Sequence, residues 1–161
     1  MSLLNRELIN ILQDDKSIKV IATVDEEGFP HVVQREDFKV LEDESIVFAE
    51  WRESSITNSN LVRAIWFGGR VALFVSNDEN ISYQIKGLPV RFDYVSPLYK
   101  EFYAVTRKKH GSDSDITGIW YIRPIEVRDE NHKIRRKEEE IIHPYFRHLD
   151  RDSVWKGVKL H

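Results

Sequence analysis

Apolar residues along this chain fall into short runs with strand spacing, punctuated by three longer stretches with helical spacing. The run Ile18–Val24, IKVIATV, is almost continuously apolar from Val20 onward and predicts a strand buried on both faces, as in a closed barrel. Asp25-Glu26-Glu27-Gly28 follows, three acidic residues and a glycine free to take positive φ, the chemistry of a short hairpin loop with a bulge. The chain then returns from His31 to Val40 as a second strand, with Pro30 at its start or at an edge, because proline has no N–H to donate to a ladder. A polar turn over 40–45 leads to a third strand, 46–49. Residues 70–75 and 81–92 form a second hairpin around 77–80, with Gly87 marking a bulge or sharp bend. Residues 117–127 make a sixth strand, with Pro124 near a bulge or an edge.

Helical spacing between 2 and 13 puts Leu4, Leu8, Ile11 and Leu12 on one face, with Ser2 or Asn5 as N-cap. A second helix starts near Ser54 or Ser55, directs Ile56, Leu61, Ala64 and Ile65 at the core, and stops at Gly68-Gly69. Ser96-Pro97 opens a third, whose stripe of Leu98, Phe102 and Val105 runs on to Gly111. Residues 135–142 read as a helical segment that needs a partner, since its basic start and acidic end oppose the helix dipole; Pro144 stops it. Beyond it Tyr145, Phe146 and Trp155 call for burial, Trp155 best against a second copy of the chain. Residues 1–132 therefore form one mainly β (α+β) domain with short flanking helices. Residues 133–161 form a C-terminal extension packing on the barrel or on a dimer partner.

Composition narrows the function classes. The 161 residues suit one domain, and the absence of cysteine excludes disulfides, thiolate metal sites and a cysteine nucleophile, which fits a cytoplasmic protein. Charge is balanced, 24 − 27 = −3, so no basic field argues for nucleic acid, and the amphipathic start MSLLNRE leads one to expect neither a signal peptide nor a membrane span. The histidines lie at spacings poor for a metal, His143 and His148 being five apart and interrupted by Pro144, and there is no glycine-rich phosphate loop, nucleophile elbow or Ser/His/Asp pattern. One stretch stands out. Residues 51–60, WRESSITNSN, crowd hydroxyls and amides, Ser54, Ser55, Thr57 and Asn58 among them, into a strand-to-helix turn beside Arg52. Free N–H groups there suit a phosphate, while helix capping by itself explains the serines equally well.

These segments carry a resemblance when taken in order. ATVDEEGFPHVV (22–33), Phe48-Ala49, SSITNSNL (54–61), VALFV (71–75) and YQIKG (83–87) resemble successive landmarks of the FMN-binding split-barrel family related to pyridoxamine 5'-phosphate oxidase. The resemblance implies a six-stranded antiparallel split β-barrel, a homodimer, and FMN in a groove at the subunit interface. It places His31, Val32, Val33 and Gln34 along the flavin, Glu50 and Trp51 at the end of the third strand beside it, Ser54 on the phosphate, and Gln84 on the fifth strand. Where the family commonly has a basic pair after that serine, this chain has Ser55 and Ile56, and Arg52, Arg35 or Lys39 are the available replacements. The function implied is an FMN-binding oxidoreductase acting on a small-molecule substrate or electron donor, in which the flavin does the chemistry and no side chain is singled out as catalytic. The alternatives are a non-catalytic barrel that stores or senses flavin or haem, and a structural dimer with an empty groove.

Overall fold

The computed structural model describes residues 2–143; Met1 and residues 144–161, with the expectations for Pro144, Tyr145, Phe146, His148 and Trp155, lie outside the described residues. The chain runs α1 (Arg6–Gln13), β1 (Ile18–Val24), β2 (Pro30–Gln34), β3 (Phe38–Val40), β4 (Ile46–Glu50), α2 (Ile56–Phe67), β5 (Val71–Ser76), β6 (Ser82–Asp93), α3 (Pro97–His110), β7 (Gly118–Asp129) and α4 (His132–Ile142). All strand pairs are antiparallel, in the order β2-β1-β5-β6-β7-β4-β3. The two edge strands follow one another in sequence, and the four residue steps from Gln34 to Phe38 hold the edges within about 15 Å, so the sheet curls into a split barrel. The expected second strand is thus real but divided. Its first half pairs with β1 and its second half with β4, which makes seven strands where the sequence predicts six.

The turns follow their residue chemistry. Gly28 has φ 90° and closes the β1–β2 loop, where the Asp25 carboxylate accepts the N–H groups of Glu27 (3.0 Å) and Phe29 (2.8 Å). Ser96 caps α3 through the Tyr99 N–H, and Gly68 ends α2 at φ 72°. The β6–β7 register shifts between Lys86 and Gly87, opposite Pro124, so both breaker residues mark one bulge. A Cβ on Gly87 would lie 2.5 Å from the Ile122 side chain, so the strands close here only over glycine.

Two core clusters fill the molecule. Leu4, Leu8, Ile11 and Leu12 of the N-terminal segment plug one opening against Ile21, Leu73, Ile85 and Trp120. Val47, Ala49, Ile119 and Tyr121 form a second cluster with Phe102 on the side covered by α3. Within α3 the buried positions are Phe102 and Thr106, while Val105, expected in the stripe, is exposed. Helix α4 starts earlier than expected, at His132, and buries no residue.

Two expectations about burial are overturned. Strand β1 is not covered on both faces: Lys19, Ile21 and Thr23 point in, while Ile18 and Val24 are exposed and Val20 and Ala22 half-covered. Strand parity decides this, since successive side chains must alternate. Helix α2 likewise turns Thr57, Asn58, Asn60 and Leu61 inward and leaves Ile56 and Ile65 exposed. Its inner face is polar because it docks through hydrogen bonds, Asn60 Nδ2 donating to Thr23 Oγ1 (2.9 Å) and Trp120 Nε1 donating to Asn58 Oδ1 (3.0 Å).

Burial lowers the Lys19 pKa below 10.5, partly countered by Asp15, Asp37 and Asp14; its ammonium donates to the Asp14 carbonyl at 2.7 Å. A lysine depressed in the folded state binds fewer protons there than in the unfolded chain. Stability should therefore rise with pH between the lowered value and 10.5. Lys19→Met should flatten that alkaline rise in denaturant midpoint measured across pH; an unchanged slope would assign it to another group.

Candidate functional site

The alternation along β2 sets up the site. His31, Val33 and, one step past the strand, Arg35 share its inner face, while Pro30, Val32 and Gln34 take the other. Opposite them the chain leaves β4 and enters α2 through Arg52, Ser54 and the N-cap Ser55. Between the two lies a cleft of about 220 Å³, walled by these β2 residues and by Arg52, Ser54, Ser55, Ile56 and Thr57. Ser55 Oγ accepts the Asn58 N–H at 2.9 Å, so capping is real. It satisfies one of the four N–H groups that a helix start leaves without intrahelical acceptors. No acidic residue sits in the first turn of α2, so nothing on the helix neutralises its positive end.

Arg35 is the central cation. Its Nη2 donates to both oxygens of Glu50, at 3.1 and 3.3 Å, and the guanidinium lies 5.9 Å over the Phe48 ring. Glu50 is fully buried, and its Oε1 also accepts the N–H groups of Trp51 (3.1 Å) and Arg52 (3.4 Å). Arg35 Nε is buried with no hydrogen-bond partner among the described residues. Native structures seldom leave a buried N–H without an acceptor, so the Arg35 head group has hydrogen-bonding capacity that the described residues do not use.

The residues singled out in the sequence divide into three groups. His31, Val33, Arg52, Ser54, Ser55 and Thr57 do meet at the cleft. Val32, Gln34 and Gln84 lie on the opposite face of the sheet, where Gln34, Val20, Phe74 and Gln84 form one cross-strand row. Glu50, Trp51 and Asn58 are engaged inside the protein. Glu50 stands behind Arg35, Trp51 packs edge-on to His110 with ring centroids 4.9 Å apart, and Asn58 Nδ2 donates to the Glu53 carbonyl at 2.8 Å. Lys39 points elsewhere, to Glu101 at 2.7 Å, so it is no substitute for the missing basic pair. Arg35, named in the sequence only as one replacement among three, is the residue the cleft is built on. Strand parity holds the signal for it, since 31, 33 and 35 share one face.

The curled sheet and its strand order define the fold as a split barrel. Solved structures of pyridoxamine 5'-phosphate oxidase-like proteins share this fold. HupZ of Group A Streptococcus superposes with a TM-score of 0.64 at 13% identity, covering 80% of this chain and 95% of its own. An FMN-binding protein from Syntrophomonas wolfei gives 0.60 at 10% identity, over 78% of this chain and 87% of that one. A candidate pyridoxamine 5'-phosphate oxidase from Listeria innocua gives 0.60 at 17% identity, over 78% and 96%. No protein-family model and no curated protein matches the sequence. At such identities the likeness establishes the fold. Among the described residues, no helix is long and apolar enough to cross a membrane.

Proposed function

We propose that the chain is a cytoplasmic FMN-binding protein of the oxidoreductase type. The observation that carries this reading is a cleft that gathers Arg35, a guanidinium with an N–H the protein does not use, with Arg52, two serines and the start of α2. Those groups fit a phosphate monoester: N–H donors of a guanidinium and a helix N-terminus, with hydroxyls that can donate to any remaining oxygen. Bound FMN would supply hydride or single-electron transfer at its ring, with a nicotinamide nucleotide or another small molecule as partner. The protein's own part is to bind and orient. Arg35 and Arg52 hold charge at the phosphate end, Ser54, Ser55 and Thr57 complete its hydrogen bonds, and His31 and Val33 wall the path of the remaining ligand along β2.

The cleft is too small to hold a whole cofactor, since pockets for ligands of that size run to roughly 300–1,000 Å³. Its 220 Å³ suits the phosphate end, and a second copy of the chain supplies the missing wall in this reading. The face of β2-β1-β5 away from the cleft offers a second copy an apolar surface to dock on, with Ile18 (54%), Val24 (48%), Val32 (61%) and Phe74 (39%) exposed together. Phe74→Asp should then give a monomer by analytical ultracentrifugation where the wild type sediments as a dimer. A dimer that survives the change would move the interface to another face.

Arg52→Ala should weaken FMN binding by roughly tenfold at low salt, and by less at high salt, because this side chain is exposed and screened. Unchanged affinity would take Arg52 out of the site. A binding protein without turnover is the second reading, and one observation favours it. Ile56, at the position where the resemblance expects a base, is an exposed apolar residue, so the cleft carries less charge than that pattern implies. Reduction of bound flavin by NADH or NADPH, followed by reoxidation with an acceptor, separates the two readings.

A further inference from the structure

We propose that Glu50, which lines no part of the cleft, is its positioning residue: it fixes the Arg35 guanidinium in the cleft wall, where that cation meets the phosphate end of the ligand. The inference rests on the reading of the cleft as a phosphate site.

Glu50 is anchored through both its backbone and its side chain. It ends β4 opposite Gly118 of β7, and its carbonyl accepts the N–H (2.8 Å) and the hydroxyl (3.0 Å) of Thr117. Its carboxylate is wholly buried and takes Arg35 Nη2 on both oxygens. Arg35 is held from the other side of the split, its backbone N–H donating to the Lys19 carbonyl of β1 at 2.9 Å, and the Phe48 ring lies under the guanidinium. Strand β1, through the Arg35 backbone, and β4, through Glu50 and Phe48, thus fix one planar fork of donors from the two sides of the split. With Nη2 committed to Glu50, the plane of the guanidinium is set, and Nε is left buried and without an acceptor. The same carboxylate accepts the Trp51 and Arg52 N–H groups, so it also sets the course of the loop that delivers Arg52, Ser54 and Ser55.

Electrostatics alone makes the opposite forecast, and this gives the test its sign. Glu50 lies beside Arg35 and offsets its charge, so removing the negative charge should tighten an anion if charge were all that mattered. If Glu50 acts by orientation, the isosteric Glu50→Gln loosens the fork and weakens the anion instead. FMN and riboflavin differ by the phosphate, so their affinities for wild type and Glu50→Gln, measured by fluorescence quenching, separate orientation from loss of structure. The expected result is an FMN affinity reduced by about tenfold with riboflavin affinity held within about twofold, the scale of one charge-assisted hydrogen bond. Equal losses for both ligands, or FMN binding unchanged or tighter, would overturn the proposal.

A wild type that binds neither flavin would remove the FMN reading, and the positioning role would then be decided with inorganic phosphate alone. The Arg35 Nε–H signal, followed by NMR on protein with ¹⁵N-labelled arginine, should shift on phosphate titration in the wild type and stay fixed in Glu50→Gln. A wild-type signal that ignores phosphate would overturn the role of Glu50 as well.

Discussion

Replacing Trp120 by alanine is expected to lower the folding free energy by about 4–6 kcal/mol and, in whatever protein still folds, to weaken ligand binding in the cleft. Loss of so large a buried ring costs about 3–5 kcal/mol, and the Asn58 acceptor it leaves behind adds about 1 kcal/mol. The indole is 1% exposed, packs tilted against Phe92 with ring centroids 5.0 Å apart, and donates to Asn58 at 3.0 Å. Asn58 in turn holds the Glu53 carbonyl, so the indole fixes the turn through which the chain enters α2. Trp120→Phe keeps most of the volume and should cost about 1–3 kcal/mol. Urea unfolding of both variants measures this. A difference between them of under 1 kcal/mol would mean that cavity formation is not the main cost.

Arg35→Met carries the second large effect, because it leaves the Glu50 carboxylate buried without its cation. Breaking a buried pair from one side costs about 3–5 kcal/mol, and the two backbone N–H groups still on Glu50 argue for the lower end, about 3 kcal/mol. The double variant Arg35→Met with Glu50→Leu removes both charges and should recover most of that loss, while FMN selectivity over riboflavin stays lost in both. Chemical denaturation checks the first statement and paired flavin titrations the second. A single variant as stable as wild type would show that the pair contributes little to the fold, and retained FMN selectivity would remove Arg35 from the phosphate site.

The fold was largely legible in the sequence, and the reasons are local. The turns carry residues that only turns favour: Gly28 at positive φ, Ser96-Pro97 ahead of α3, Gly68 after α2. Burial was less legible, because apolar content reports how much surface a strand hides without saying against what. Val20, Ala22 and Val24 of β1 face outward, over a surface left open in a single chain, while Lys19 and Thr23 face the interior. Helix α2 misleads in the same manner, since Asn58 and Asn60 dock by their amides and Ile56 and Ile65 are exposed. Charged pairs across the sheet left no local trace at all. Arg35 and Glu50 are fifteen residues apart and meet only once the second apolar run divides between β1 and β4. The serines and Arg52 could be read as a candidate site from their crowding alone. The arginine at its centre needed the parity of β2 and the curl of the sheet.

The most direct measurement is the visible absorption spectrum of the purified protein, followed by titration with FMN while flavin fluorescence is recorded. Flavin bands in the protein as isolated, or saturable quenching that is tighter for FMN than for riboflavin, is the result expected of a split barrel whose Arg35 cleft receives a phosphate. A colourless protein that leaves FMN fluorescence untouched would contradict the account.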